Sequence, residues 1–152
     1  MVERAFEVLR SLDVPFEAHI YSAHRTPLEA AEFSATARER GFGVLIAAAG
    51  MAAHLAGAVA ANTTLPVIGI PCKSSVLDGM DALLSTVQMP SGIPVATVAI
   101  GGAANAALLA AEMLAIADEA LAARLAARRE ADRQKVLEKD AALTARLAAE
   151  NA

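Results

Sequence analysis

Tryptophan is absent from this chain, tyrosine and cysteine occur once each, and aromatic side chains make up 3% of its 152 residues. The lone cysteine, Cys72, excludes an internal disulfide and any metal cluster built on several cysteines. With a net charge of −4, few aromatics and basic residues gathered toward the C-terminus, no basic face interleaved with aromatics can form. Nucleic acid is therefore not expected as a partner. No segment joins a charged start to an apolar stretch and a small-residue cleavage site, so no secretory leader is expected. The apolar run at 93–117 is interrupted by Gly101, Gly102, Asn105 and Glu112. It reads as strand, turn and helix rather than as a membrane span. A cytoplasmic chain with no membrane partner is the expectation.

What the chain has in quantity is Ala, Val, Leu and Ile, within a hydrophobic share of 56%. That is enough to bury a core in one ordinary domain, and alanine at this density implies helices that pack closely. Residues 2–12 place Ala5, Phe6, Leu9 and Leu12 on one helical face. "VPFEAHIYS" (14–22), rich in branched and aromatic residues, predicts a strand, and 27–40 a helix ending at Gly41. "VLIAAA" (44–49) lacks alternation, as a strand covered on both faces does. A helix over about 52–61, a strand at 65–70, a helix over 79–87 and a strand at 95–100 follow. From 103 a helix continues, with a break, toward the C-terminus.

Strand and helix alternate throughout, which predicts a three-layer α/β/α domain on a parallel sheet, flavodoxin-like or Rossmann-like. Residues 1–117 form that domain in this reading, and 118–152 a charged, alanine-rich helical extension. The extension reads equally as a solvated helix or as an arm packed on a neighbouring subunit.

Ligands of an open parallel sheet bind beyond the C-terminal ends of its strands. Those ends carry Ser22-Ala23-His24-Arg25, then Gly50 to Leu55, then Pro71 to Ser75, then Gly101-Gly102 leading to Asn105. Thr26, Pro27 and Glu29 have the spacing of a capping box, with Pro at the first helical position. The helix start would brace the short loop before it. His24 can give and accept a proton near neutrality, and Arg25 offers a planar fork for phosphate or carboxylate. Taken singly, His24 is a loop histidine, Arg25 a surface cation and His54 a hydrogen-bonded helix-start residue. His19, inside a strand, and Cys72, a small apolar side chain, read as structural. Convergence on one rim tips the balance toward a site for proton transfer on a small anionic substrate.

Six ordered blocks then resemble the PurE family of purine biosynthesis. They are "SAHRTP" (22–27), "AAAGMAAHLAG" (47–57), "LPVIGIPCKSS" (65–75), "GMDALLSTVQMPSGIPVATVAIG" (79–101, spanning two blocks) and "NAALLAA" (105–111). The similarity covers about residues 2–120. It implies the mutase reaction, in which N5-carboxyaminoimidazole ribonucleotide becomes 4-carboxy-5-aminoimidazole ribonucleotide on the way to IMP. The resemblance implies no ATP, biotin, metal or other cofactor. It also implies His24 as proton shuttle with His54 as second histidine, and Arg25 as the phosphate contact. Ser22, Ala23, Gly50, Ala53, Leu55 and Ser74 would line the substrate. The resemblance further implies a homo-octamer whose C-terminal helices reach neighbours.

"SAHRTP" and the "AAH" of 52–54 resemble the mutase class rather than the class that carboxylates aminoimidazole ribonucleotide with free carbon dioxide. A non-catalytic oligomerising relic of the family is the other alternative. Ala48, Met51 and Ala56 stand where the family pattern has Gly, Gly and Pro, and Lys73 where glutamine is common. The family pattern also begins with a strand and a "GSxSD" loop, whereas this sequence opens at "MVERAFEVLR", the helix that follows them. A start placed downstream, a fragment and a loss of activity are the three readings of that difference. The intact remaining blocks favour the first.

Overall fold

The computed structural model describes residues 2–75 and 77–151; Val76, in the loop predicted between the third strand and its helix, lies outside them, as do Met1 and Ala152. The chain divides into two units, Met1–Leu114 and Ala115–Ala152. The first unit opens with α1 (Glu3–Ser11), whose Ala5, Val8 and Leu9 are buried, and continues through 14–22 to α2 (Pro27–Thr36). Then come β1 (Leu45–Ala49), α3 (Leu55–Ala60), β2 (Val67–Pro71), α4 (Met80–Val87), β3 (Ala96–Thr97) and α5 (Ala103–Ala115).

The three strands form a parallel sheet in the order β1-β2-β3. Leu45 to Ala49 register against Val67 to Pro71, and Ile68 and Gly69 against Ala96 and Thr97. All five residues of β2 are buried, as a central strand covered on both faces must be. Helix α3 packs on β1 and β2, and α4 on β2 and β3. The approach of α4 depends on Gly69, where an added Cβ would run into Thr86 Cγ2 and crowd Val95. Leu45, Ala47, Ala56, Val59, Leu65 and Val67 form the core between β1, β2 and α3, with Phe33 and Phe42 packed against it. This is the three-layer, flavodoxin-like α/β architecture that the alternation of elements predicts.

Two predicted elements change. Residues 14–22 form no strand. Strand propensity stabilises nothing without a ladder partner, and β1 pairs only with β2 among the described residues. Side chains hold this segment instead. Phe16 stacks on Phe6 at 5.1 Å, and His19 and Tyr21 lean on Phe33 at 5.0 and 5.8 Å. Glu17 accepts from Arg40 Nη2 at 2.6 Å. Ile20 is left 100% exposed. The strand predicted at 95–100 keeps formal pairing only at Ala96–Thr97. Single bonds from Val98 N to Gly69 O (3.1 Å) and from Gly101 N to Pro71 O (2.9 Å) carry it along β2 before the chain turns at Ala99–Gly102.

The second unit is dominated by α6 (Glu119–Glu150), about 48 Å long at the usual rise per residue. Its N-cap, Asp118, accepts from Leu121 N at 2.9 Å. Pairs of opposite charge at helical spacing line its surface, among them Glu130–Arg133 and Asp132–Lys135. No helix among the described residues is long and apolar enough to cross a membrane.

Candidate active site

The C-terminal ends of the strands are stitched into one rim by backbone bonds. Cys72 N donates to Ala49 O at 2.8 Å, tying the end of β1 to the end of β2, and Gly101 N reaches Pro71 O. Gly50 and Met51 leave β1 at this rim, and His54 follows as the N-cap of α3. Across from them stands the loop 22–26, which has a compact architecture of its own. Ser22 Oγ accepts from His24 N (3.3 Å) and from Arg25 N (3.2 Å). Thr26 Oγ1 accepts from Ser22 N at 2.8 Å, and Thr26 N donates to Ser22 O at 2.9 Å.

The loop delivers His24 to His54. Nε2 of His24 lies 3.0 Å from Nδ1 of His54, with the rings edge-on at 66° and their centroids 5.1 Å apart. A hydrogen bond between two imidazole nitrogens needs one proton between them, so one ring donates while the other accepts. Both rings are exposed, and the remaining nitrogens, Nδ1 of His24 and Nε2 of His54, bond to none of the described residues. Arg25, next to His24 in the chain, is exposed, and its guanidinium engages no partner among the described residues. Two proton carriers in contact with each other and one uncommitted cation suit acid–base chemistry on an anion.

The remaining predicted residues divide. Ser22 is spent on the loop's own backbone, and Ala23 is half-buried within that loop. Gly50 is exposed against Cys72, where an added Cβ would meet that residue at an ordinary 3.6 Å. Ala53 is 1% exposed and Leu55 packs against the core, so what these two residues can offer a ligand is backbone. Ser74 is not brought to the histidines by any contact; its Oγ donates to Asp81 Oδ1 at 3.0 Å. Lys73 pairs with Asp78 at 3.0 Å on the exposed loop. Burial pushes the Cys72 thiol up, which keeps it protonated and unreactive at neutral pH.

Met51 explains one departure from the family pattern. Its φ is +52°, the left-handed region where glycine is unstrained, and its side chain points outward, 65% exposed. The backbone shape that glycine favours is thus kept by a residue that pays for it in strain. Thr26 supplies a correction. It occupies the N-cap of α2 with Pro27 following, but its hydroxyl makes no capping bond and Glu29 closes no capping box. The hydroxyl turns back to Ser22 instead, a choice that spacing alone does not reveal. An open depression of about 960 Å³, lined by residues such as Arg38, Thr64, Leu65 and Ile93, lies away from the rim at the opposite strand ends.

Known proteins resemble this chain in sequence and in fold. The family profile described as AIR carboxylase matches residues 1–135. The N5-carboxyaminoimidazole ribonucleotide mutase of Bacillus subtilis (strain 168) is 57% identical over 139 residues, covering 90% of this chain and 86% of the relative. The protein of the same name from Haemophilus influenzae is 52% identical, covering 90% and 85%. Among solved structures, Treponema denticola PurE superposes with a TM-score of 0.81 at 28% identity, covering 91% of this chain and 87% of that one. On the extent of the profile match and the identity shared with these relatives, the chain belongs to the AIR carboxylase family.

Proposed function

We infer that the chain converts N5-carboxyaminoimidazole ribonucleotide to 4-carboxy-5-aminoimidazole ribonucleotide, a step of purine biosynthesis, as its relatives' names state for them. The observation that carries the chemistry is the 3.0 Å contact between His24 and His54 on the rim, with Arg25 next to His24 in the chain and exposed.

Substrate and product are isomers, so the reaction needs no oxidant, reductant or group donor. The carboxylate leaves the exocyclic nitrogen as carbon dioxide, the N–C bond electrons stay on nitrogen, and that nitrogen takes up a proton. The electron-rich ring carbon then attacks the carbon dioxide held in the site, and the proton on that carbon departs. One proton is consumed and one released, so a single carrier can serve both steps. His24 is that carrier, and His54 is the second ring with which it exchanges or shares the proton. Arg25 takes the ribonucleotide phosphate, for which a planar fork of donors is suited. Backbone from Gly50 to Leu55 walls the carboxylate and the carbon dioxide, with Ala23 and Ser74 lining the nucleotide.

The alternative of carboxylating aminoimidazole ribonucleotide with free carbon dioxide is not favoured, since identities of 52–57% run to relatives named as mutases. The cytoplasm is the proposed compartment. A homo-octamer is the proposed assembly, with 118–152 as the arm that packs on a neighbouring subunit.

The test is an ultraviolet assay of this chain with N5-carboxyaminoimidazole ribonucleotide. Product formation without ATP or added bicarbonate supports the mutase reading. Turnover only of aminoimidazole ribonucleotide with bicarbonate, or of neither compound by folded protein, refutes it.

A further inference from the structure

We propose that Thr26 is a positioning residue for the imidazole pair: its hydroxyl, acting through Ser22, holds the loop at the geometry in which His24 meets His54. Three observations carry this. First, Thr26 sits where a threonine ordinarily caps a helix, and it does not cap; α2 starts on Pro27, which has no N–H to satisfy, and the hydroxyl faces the other way.

Second, that hydroxyl is committed twice to one residue. Thr26 Oγ1 accepts from Ser22 N at 2.8 Å and donates to Ser22 O at 3.3 Å, beside the backbone bond from Thr26 N to the same oxygen at 2.9 Å. Ser22 is therefore gripped at both its N–H and its carbonyl.

Third, Ser22 passes the constraint on. Its Oγ accepts from the backbone N–H of both His24 and Arg25, the two exposed residues whose side chains face solvent. No strand ladder holds the chain before Ser22, so the orientation of the loop rests on this small network and on the aromatic contacts of 14–22. The network links Thr26 to Ser22, then Ser22 to the His24 backbone, and ends at the His24 Nε2 to His54 Nδ1 contact.

The proposal rests on the acid–base reading of His24 given above. A proton carrier must lie within hydrogen-bond reach of the atom it serves, and a displacement of about 1 Å can cost on the order of 100-fold in rate. Thr26 touches no substrate in this scheme; it sets where His24 stands.

The experiment compares Thr26→Val, which keeps the shape and removes the hydroxyl, with Thr26→Ser, which keeps the hydroxyl and removes the methyl. Turnover is measured together with ring-nitrogen NMR of His24 and His54, which reports whether the two rings are coupled through a nitrogen-to-nitrogen hydrogen bond. The expected result for Thr26→Val is a kcat lowered by about 10- to 100-fold with KM held, and loss of the coupling. Thr26→Ser is expected to recover most of both. Wild-type kcat with intact coupling in Thr26→Val overturns the proposal, and so does equal impairment of the two variants, since the hydroxyl kept in Thr26→Ser would then confer nothing. If Thr26→Val fails to fold, Ser22→Ala removes the acceptor for the His24 and Arg25 amides and is expected to reproduce the loss; wild-type behaviour there overturns the proposal. Should the wild-type chain not act on the ribonucleotide at all, the NMR arm still decides: coupling lost in Thr26→Val upholds the positioning role, and coupling retained refutes it.

Discussion

His24 and His54 are thirty residues apart in sequence and 3.0 Å apart at their ring nitrogens, each delivered by a different loop at the C-terminal rim of the sheet. One loop is braced by Ser22 and Thr26, the other by the start of α3. A proton can thus be held between two side chains while both remain open to solvent.

Replacing His24 by asparagine keeps a polar side chain of similar reach and removes the proton carrier. Turnover is expected to fall by about 10²- to 10⁴-fold, the usual contribution of a general acid–base. The ring is exposed, so thermal unfolding and assembly state should be unchanged. A His24→Asn variant with wild-type kcat would show that another group moves the proton.

Arg25→Ala should act on binding. Loss of a charge-assisted contact to phosphate, worth about 1.5–3 kcal/mol, corresponds to a rise in KM of roughly 10- to 100-fold with kcat little changed. Steady-state kinetics separate the two constants. An unchanged KM would remove Arg25 from the phosphate site.

At Met51 the expected change is a gain in stability. A side chain in the left-handed region costs about 1–2 kcal/mol, and glycine gives back part of this as extra freedom of the unfolded chain. Met51→Gly should therefore raise stability by up to about 1 kcal/mol, or Tm by about 2–4 °C. The unfolding midpoint in denaturant measures it, and a lower midpoint for the glycine variant would contradict the strain read at φ +52°.

Glu17 gives a pH signature for the segment that no strand ladder holds. Hydrogen bonds from His19 first, and from Arg40 next, hold its carboxyl below the usual value of 4.5. A depressed carboxyl stabilises the folded chain above its unfolded pKa, and this stabilisation is lost as pH falls through the lower folded value. The Tm advantage of the wild type over Glu17→Gln should accordingly be present near neutral pH and be lost progressively in acid, as pH falls from 4.5 through the lower folded value. A difference independent of pH would mean that the carboxylate is not the anchor.

Much of the fold is legible in the sequence because apolar runs such as 44–49 and 65–70 are strand-prone and supply the paired strands of the core, so propensity and packing agree. At 14–22 they part company. The same kind of residues met no pairing partner, and Phe16, His19 and Tyr21 found aromatic neighbours instead. The rim is legible too, since the topology of a parallel sheet brings its strand ends together whatever their sequence. The fine wiring is not. Nothing in spacing distinguishes a Thr26 hydroxyl that caps α2 from one that grips Ser22, because both partners lie within four residues and Pro27 fits either. Ser74 likewise is chosen by Asp81, seven residues on, a pairing that exists only once α4 has started.

The buried face of α5 is built from alanine alone. Its buried residues are Ala103, Ala106, Ala107, Ala110 and Ala111. Alanine has no side-chain rotors to freeze, so ordering this face costs backbone freedom alone, whereas burying longer side chains adds up to about 2 kcal/mol each. The same economy makes tolerance one-sided. These alanines are 0–4% exposed, so an added methylene must displace what covers it and typically costs about 1–3 kcal/mol, while trimming to glycine costs about 1 kcal/mol in helix propensity. A chain this poor in aromatics has thus exchanged the adaptability of bulky side chains for a helix face on which every position is fixed at a single size.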